Sequence, residues 1–131
     1  MGMPHSKTWL CYHLVFATKN RHPFIAEPIE RTVWGILWDI CRANGLHPFA
    51  VGGIEDHIHV LVGIPATMCV ADAARLIKGG SSMAIRQRFP QLSSFCWQNG
   101  YAALTFDYRS LDRLVRYVNH QREHHYGDKG D

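Results

Sequence analysis

The sequence predicts an α+β domain of the ferredoxin-like (split βαβ) class, with an antiparallel sheet, two helices on one face and the other face open. The chain has 131 residues, 47% of them hydrophobic, which suits one compact domain with a buried core. Its periodic segments follow the order strand, helix, strand, strand, helix, strand, which is the pattern of this class. A seventh segment predicts an additional helix at the carboxyl end. We therefore expect a single domain over residues 1–131.

The first strand and the first helix are each bounded by residues that end such elements. Residues 7–18 are rich in β-branched and aromatic side chains and lead into a basic loop over residues 19–23. A helix is expected to begin near Pro28 and to end at Asn44-Gly45. Proline suits the first turn of a helix, and glycine commonly follows the last.

Two strands follow and predict a hairpin. Residues 48–54 form the first strand and residues 57–64 the second, with a turn at residues 55–56. The glycine pair at 52–53 suggests a β-bulge in the first of these strands. The second strand alternates, so that one side of it is entirely aliphatic.

The second half of the chain predicts a helix, a strand and a final helix. Residues 70–88 have helical spacing, and the glycine pair at 79–80 suggests a break or kink within them. A strand is expected over residues 101–106. Ser110 can cap a final helix, and the tail at residues 127–131 is expected to be frayed. The apolar stripe of the final helix consists of Leu111, Leu114, Val115 and Val118.

Composition excludes several classes of protein. Charged residues make up 19% of the chain, which does not fit a disordered tail or a coiled coil. No apolar run approaches the roughly 18 residues needed to span a bilayer, and the first residues lack a signal-peptide hydrophobic region. We therefore expect a cytoplasmic protein with no membrane partner. The net charge of +3 is compatible with a nucleic-acid partner. The four cysteines form no Cys-x-x-Cys pair, which predicts reduced, buried thiols.

A His-x-His pair is the first feature that could carry chemistry. Strand periodicity places His57 and His59 on the same face, roughly 6.5–7 Å apart along the strand, a spacing that two ligands of one metal can use. The aliphatic residues between and after them are expected to face the core on the other side. Taken alone, the pair could equally be two histidines satisfied by hydrogen bonds.

A tyrosine and a glutamine on the final helix form the second feature. Tyr117 and Gln121 are four residues apart, so they are neighbours on one helix surface. Helical projection places them about 100° to one side of the apolar stripe, where the helix meets the surface on which it packs. These residues alone would also fit a boundary tyrosine with its hydroxyl in water and a solvated glutamine.

Together these residues resemble a known family, the HUH-superfamily single-tyrosine transposases. This is the TnpA family of bacterial insertion sequences that move as single-stranded DNA, with its REP-associated tyrosine transposase relatives. The similarity extends over nearly the whole chain. It is carried by five ordered blocks: Tyr12 to Arg21 (YHLVFATKNR), Gly52 to Leu61 (GGIEDHIHVL), Leu76 to Ser82 (LIKGGSS), Trp97 to Tyr101 (WQNGY), and Arg116 to His125 (RYVNHQREHH).

The resemblance implies a complete set of catalytic roles. His57 and His59 would be metal ligands, Gln121 the third ligand and Tyr117 the nucleophile, with Mg²⁺ or Mn²⁺ as the cofactor. The implied function is a transposase that cleaves and rejoins single-stranded DNA at insertion-sequence ends through a 5′-phosphotyrosine intermediate. Three neutral ligands leave the cation most of its charge for polarising a phosphate. Position 120 carries His rather than a second tyrosine, which favours single-tyrosine enzymes.

The resemblance also implies partners. The expected substrate is single-stranded DNA with hairpin ends, and the expected assembly is a homodimer whose subunits share active sites. His13 is proposed to support a metal ligand, because its strand should neighbour that of His57. The polar side chains suited to phosphate contacts are Lys19, Arg21, Lys78, Ser81, Ser82 and Arg86.

Two alternatives were weighed against this hypothesis. Histidine-triad hydrolases need a third histidine two residues after the second, and here that position is Leu61. The remaining alternative is a domesticated or inactive relative that binds hairpins of single-stranded DNA or RNA without cleaving them.

Overall fold

The computed structural model describes residues 7–122 and confirms the predicted class, an α+β fold with a four-stranded antiparallel sheet, two helices on one face and an additional carboxyl-terminal helix. The four strands lie in the order β2-β3-β1-β4, and every neighbouring pair is antiparallel. The strands are β1 (Cys11–Ala17), β2 (His47–Ile54), β3 (His57–Gly63) and β4 (Ala102–Thr105). The helices are α1 (Glu27–Ala43), α2 (Val70–Arg88) and α3 (Leu111–Asn119). The expected frayed tail lies outside the described residues.

The element order agrees with the prediction, and the bounds differ by a few residues. The largest difference is at the first strand, which begins at Cys11 rather than at residue 7. The basic loop after it contains a single 3-10 turn at Lys19–Arg21. The β2–β3 hairpin turns at residues 55–56 as expected, because Ile54 pairs directly with His57.

One face of the sheet carries the main core. Helices α1 and α2 pack on it, and their buried side chains meet the aliphatic side of β3. Alternation along β3 places Ile58, Val60 and Val62 on this side, each fully buried. The strand thus has no freedom to change register without moving three aliphatic side chains out of the core.

The other face is covered in part by α3, so it is not open as the bare fold class predicts. A second, smaller cluster joins Ala50 of β2, Leu61 of β3 and Val118 of α3. Leu114 and Val115 pack at its border, as the predicted stripe requires. The functional side of the domain is therefore the side with the smaller core.

Neither glycine pair produces the backbone irregularity that the sequence predicts for it. The register shift of β2 lies between Pro48 and Ala50, whereas the glycines at 52–53 are paired regularly with β3. A Cβ on Gly52 would fall on the carbonyl oxygen of Val118, so this glycine allows α3 to approach the sheet. Helix α2 is continuous through residues 79–80. At Gly80 a Cβ would lie 3.1 Å from the side chain of Ile40, so the missing side chain serves close helix packing.

Within residues 7–122, no helix is long and apolar enough to cross a membrane.

Candidate metal and tyrosine site

The two histidines of the site are fixed by the central strand of the sheet. His57 and His59 project from β3 toward α3, opposite the main core, and are only 7% and 8% exposed. Their rings are 5.2 Å apart between centroids. The prediction that both imidazoles share one face is thus confirmed, with a packed strand behind them.

The Nδ1 atom of His57 is held by an acidic neighbour. It lies 2.9 Å from Oδ1 of Asp56, and the same carboxylate pairs with Arg21, Nε to Oδ2 at 3.2 Å. Partial burial acts to raise the pKa of Asp56, but the hydrogen bonds from His57 and Arg21 outweigh it and lower that pKa. An ionised Asp56 accepts the Nδ1 proton, which leaves Nε2 of His57 as the atom with a lone pair.

The Nδ1 atom of His59 is held by a third histidine. It lies 2.7 Å from Nε2 of His13, which projects from the neighbouring strand β1. Burial lowers the pKa of His13, so its ring is neutral and can accept a hydrogen bond. We assign the shared proton to His59 Nδ1, since this also leaves Nε2 of His59 as the acceptor. His13 is thus within hydrogen-bonding distance of His59, and its role in supporting a metal ligand stays a prediction.

Tyr117 on α3 lies directly against this histidine pair. Its ring meets that of His59 edge to face, with centroids 5.9 Å apart and an interplanar angle of 87°. The side chain is 38% exposed, as its predicted place beside the apolar stripe requires. The phenol ring of Tyr117 is therefore in contact with His59 and partly exposed.

Gln121 is buried rather than solvated, being only 1% exposed. Helix α3 ends at Asn119 and His120 has non-helical backbone angles, after which residues 121–122 are again helical. The Nε2 of Gln121 donates a weak hydrogen bond to the Tyr117 carbonyl at 3.4 Å. Its Oε1 is buried and accepts no hydrogen bond from any residue in 7–122. Buried polar atoms of this kind are rare, and this one has lone pairs with which it could bind a water molecule or a cation.

These donors fit a divalent cation. An amide oxygen suits Mg²⁺ or Mn²⁺, and imidazole nitrogen binds divalent transition metals. Each histidine has its Nδ1 engaged, as metal-binding histidines generally do. In residues 7–122 no three His, Cys, Asp or Glu side chains form such a site. A cation here would therefore depend on the glutamine.

The comparison with protein families shows which family the chain belongs to. The family model described as "Transposase IS200 like" matches residues 6–121, which is nearly the whole chain. The chain belongs to the IS200-like transposases. This confirms the resemblance to the HUH-superfamily tyrosine transposases on which the site residues were chosen.

Curated relatives of this transposase are similar over most of their length. The transposase for insertion sequence element IS200 of Salmonella typhimurium is 31% identical over 128 residues, covering 93% of this chain and 83% of the relative. The ISDra2 transposase TnpA of Deinococcus radiodurans is 26% identical over 117 residues, covering 86% of this chain and 84% of the relative.

Solved structures share its fold. The crystal structure of a Deinococcus radiodurans R1 transposase candidate has a TM-score of 0.73 at 27% identity, covering 90% of this chain and 95% of that one. A REP-associated tyrosine transposase bound to a REP hairpin has a TM-score of 0.59 at 14% identity, covering 90% of this chain and 70% of that one. The second likeness concerns the fold alone.

The residues predicted to contact DNA fall into two groups in this transposase. Lys19 and Arg21 are exposed in the loop beside the histidines, and Arg21 is paired with Asp56. The others lie on α2, behind the opposite face of the sheet. The ammonium of Lys78 donates to the carbonyls of Gln98 and Gly100.

The remaining α2 residues also have partners within the chain. Ser81 is fully buried and accepts a hydrogen bond from Trp97. Ser82 donates to a carbonyl of its own helix, and Arg86 donates to the carbonyl of Phe95. The DNA contacts predicted for these residues stay predictions. Ser81 could contact DNA only if the residues packed around it moved apart.

Two residues of the site were missed by the sequence analysis. Asp56 directly precedes His57 and was interpreted only as a turn residue, although an acidic neighbour of a histidine pair is itself a signal. Arg122 follows Gln121 and binds carboxylates 67 and 92 residues away in the chain. No local sequence pattern predicts such contacts.

Proposed function

We propose that this transposase cleaves and rejoins single-stranded DNA at insertion-sequence ends, with Tyr117 as the nucleophile. His57, His59 and Gln121 would hold Mg²⁺ or Mn²⁺. The observation that carries the proposal is the buried Oε1 of Gln121, which accepts no hydrogen bond from the described residues. Gln121 follows Tyr117 by four residues, and the Tyr117 ring meets that of His59, whose Nδ1 is engaged by His13. The cation, when bound, would polarise a non-bridging oxygen of the scissile phosphate.

Tyr117 would attack the phosphorus atom through its phenolic oxygen. The bond to the 3′-oxygen breaks, the phenol loses its proton and the released 3′-oxygen gains one, which leaves a 5′-phosphotyrosine and a free 3′-OH. An unperturbed tyrosine has a pKa of about 10, so it needs positive charge nearby to react at neutral pH. Arg21 lies beside His57, but its charge is balanced by Asp56, so a bound cation would be the source of this positive charge.

The covalent link explains why a tyrosine is used rather than water. A phosphotyrosine is still a phosphodiester, so the 3′-OH of a second strand can attack it and release Tyr117 without an external energy source. A water nucleophile would end the reaction at hydrolysis. The same tyrosine side chain could therefore both cut a strand and rejoin it.

Single-stranded DNA with hairpin ends is the proposed substrate. A protein of the same fold has been solved with a REP hairpin, which supports a hairpin partner for this chain. Lys19 and Arg21 form an exposed basic loop beside the site, where they could meet a DNA backbone. A homodimer is the proposed assembly. Within one chain Tyr117 already contacts His59, whose ring lies beside that of His57.

The test is a covalent adduct. Purified protein would be incubated with Mn²⁺ and single-stranded oligonucleotides that span the flanks of its gene, then denatured and analysed by mass spectrometry. The expected result is a DNA adduct on Tyr117 that disappears in Tyr117→Phe and His59→Ala. Tyr101→Phe is the matched control, because Tyr101 is similarly exposed and should leave the yield unchanged.

The alternative function predicts a different outcome. Metal-independent hairpin binding, with no adduct from any flanking fragment, would contradict the enzyme and favour a hairpin-binding protein. An adduct on another tyrosine would contradict the assignment of Tyr117 alone.

A further inference from the structure

Arg122 joins the end of the described chain to two distant acidic residues. Its Nη2 lies 2.7 Å from Oε2 of Glu30 on α1, and its Nη1 lies 3.0 Å from Oε2 of Glu55 in the β2–β3 turn. The three side chains are 20–30% exposed, so the pairs are partly screened from water. We call this group the carboxylate latch.

The latch is electrostatically favourable despite its burial. Each carboxylate accepts a hydrogen bond from a different nitrogen of the Arg122 guanidinium, which is the arrangement that offsets the cost of removing these charges from water. Removing one partner from a partly buried pair costs more than removing a surface pair, because a charge is left poorly solvated. The latch therefore resists opening.

Gln121 needs such a restraint because α3 does not supply it. The regular helix ends at Asn119, and the non-helical angles of His120 interrupt the backbone between Tyr117 and Gln121. The hydrogen bond from Gln121 to the Tyr117 carbonyl is long, at 3.4 Å. The adjacent Arg122 makes the short contacts of this segment.

The latch also connects the two halves of the site. Glu55 immediately precedes Asp56, which binds His57, so Arg122 ties the glutamine segment to the turn from which the histidine strand begins. The contact with Glu30 adds α1 as a fixed support from the main core side.

We propose that Arg122 is a positioning residue that sets the side chain of Gln121 for metal binding, through its contacts with Glu30 and Glu55. This inference rests on the proposed function, because it takes Gln121 as a metal ligand. Supporting residues of metal ligands typically change metal affinity 10- to 100-fold when removed.

The experiment measures Mn²⁺ affinity of the DNA-free protein by titration with electron paramagnetic resonance. We expect Arg122→Gln to weaken Mn²⁺ binding about 10- to 100-fold. Arg122→Lys should lie between this variant and the wild type, since one ammonium cannot match both carboxylates as a planar guanidinium does. Arg31→Gln is the control, because Arg31 is exposed and lines the same cleft beside Gln121.

A double-variant comparison separates positioning from general stability. If Arg122 acts through Gln121, the double variant Gln121→Ala/Arg122→Gln should bind Mn²⁺ no more weakly than Gln121→Ala alone. Additive losses, or unchanged affinity in Arg122→Gln, would overturn the inference. If Arg122→Gln does not fold by circular dichroism, Glu30→Gln replaces it in both measurements.

The same data distinguish this inference from the proposed function. If Gln121→Ala binds Mn²⁺ as tightly as the wild type does, Gln121 is not a metal ligand. Both the proposed metal site and the inference about Arg122 are then contradicted. If Gln121→Ala weakens binding and Arg122→Gln does not, only the inference is contradicted.

Discussion

The two halves of the site are held in different ways. His57 and His59 belong to β3, a central strand with a neighbour on each side and the main core behind it. Tyr117 belongs to α3, which rests on a cluster with only Val118 fully buried from the helix. The histidine strand is therefore built into the fold, whereas the tyrosine helix is docked onto it.

This difference predicts different local stabilities. Segments with few buried apolar contacts open at a lower free energy than the core strands. The docked half depends on the absence of a side chain at Gly52 and on the carboxylate latch. A reaction that must bring a tyrosine to a phosphate and later release it is served by such a separable element.

The largest expected effect comes from blocking the docking surface. Gly52→Ala would place a Cβ on the Val118 carbonyl and move α3 away from the sheet. Displacement of a reacting group by about 1 Å can cost roughly 100-fold in rate, so we expect Tyr117 adduct formation to fall at least that far. The yield of adduct per unit time measures this effect.

A matched glycine variant controls for the change of residue. Gly79→Ala adds the same methyl group on α2, where a Cβ meets no atom within 4 Å, and should leave the adduct yield unchanged. Equal adduct yields in the two alanine variants would contradict the docking account.

A somewhat smaller effect is expected in amide hydrogen exchange. We expect the amides of α3 to exchange faster than those of β3, because α3 opens locally. If Gln121 ligates the metal, Mn²⁺ at 100 times its Kd should slow exchange in α3 by up to about 100-fold, through linkage of binding to docking. Unchanged exchange in α3 with bound Mn²⁺ would place the ion on the histidines alone.

The smallest expected effect comes from the support of His59. His13→Phe removes the acceptor from the His59 Nδ1 proton and should weaken Mn²⁺ binding about 10-fold. His13→Gln restores an acceptor and should recover part of the affinity. Mn²⁺ titration of both variants tests this, and equal losses in the two would show that shape rather than hydrogen bonding is what His13 contributes.

The strand half of the site could be predicted from sequence, because alternation is a local property. It placed His57 and His59 on one face and the aliphatic residues on the other, and both placements are confirmed. Helical spacing likewise placed Tyr117 beside the apolar stripe. These inferences needed only the residues within one element.

The rest depends on contacts between distant parts of the chain. Gln121 is buried beyond the break in α3 at His120, and the latch joins Arg122 to Glu30 and Glu55. No local period reveals either. Gly52 was interpreted as a bulge because its contact with α3 is invisible in sequence. Tertiary packing, rather than propensity, decided each of these positions.

The most direct test of the central claim is the position of a bound ion. Crystals of the protein grown with Mn²⁺ would be measured for anomalous scattering. The account predicts one strong peak contacting His57 Nε2, His59 Nε2 and Gln121 Oε1 of the same chain. A peak coordinated without Gln121, or completed by the glutamine of a second copy, would contradict it.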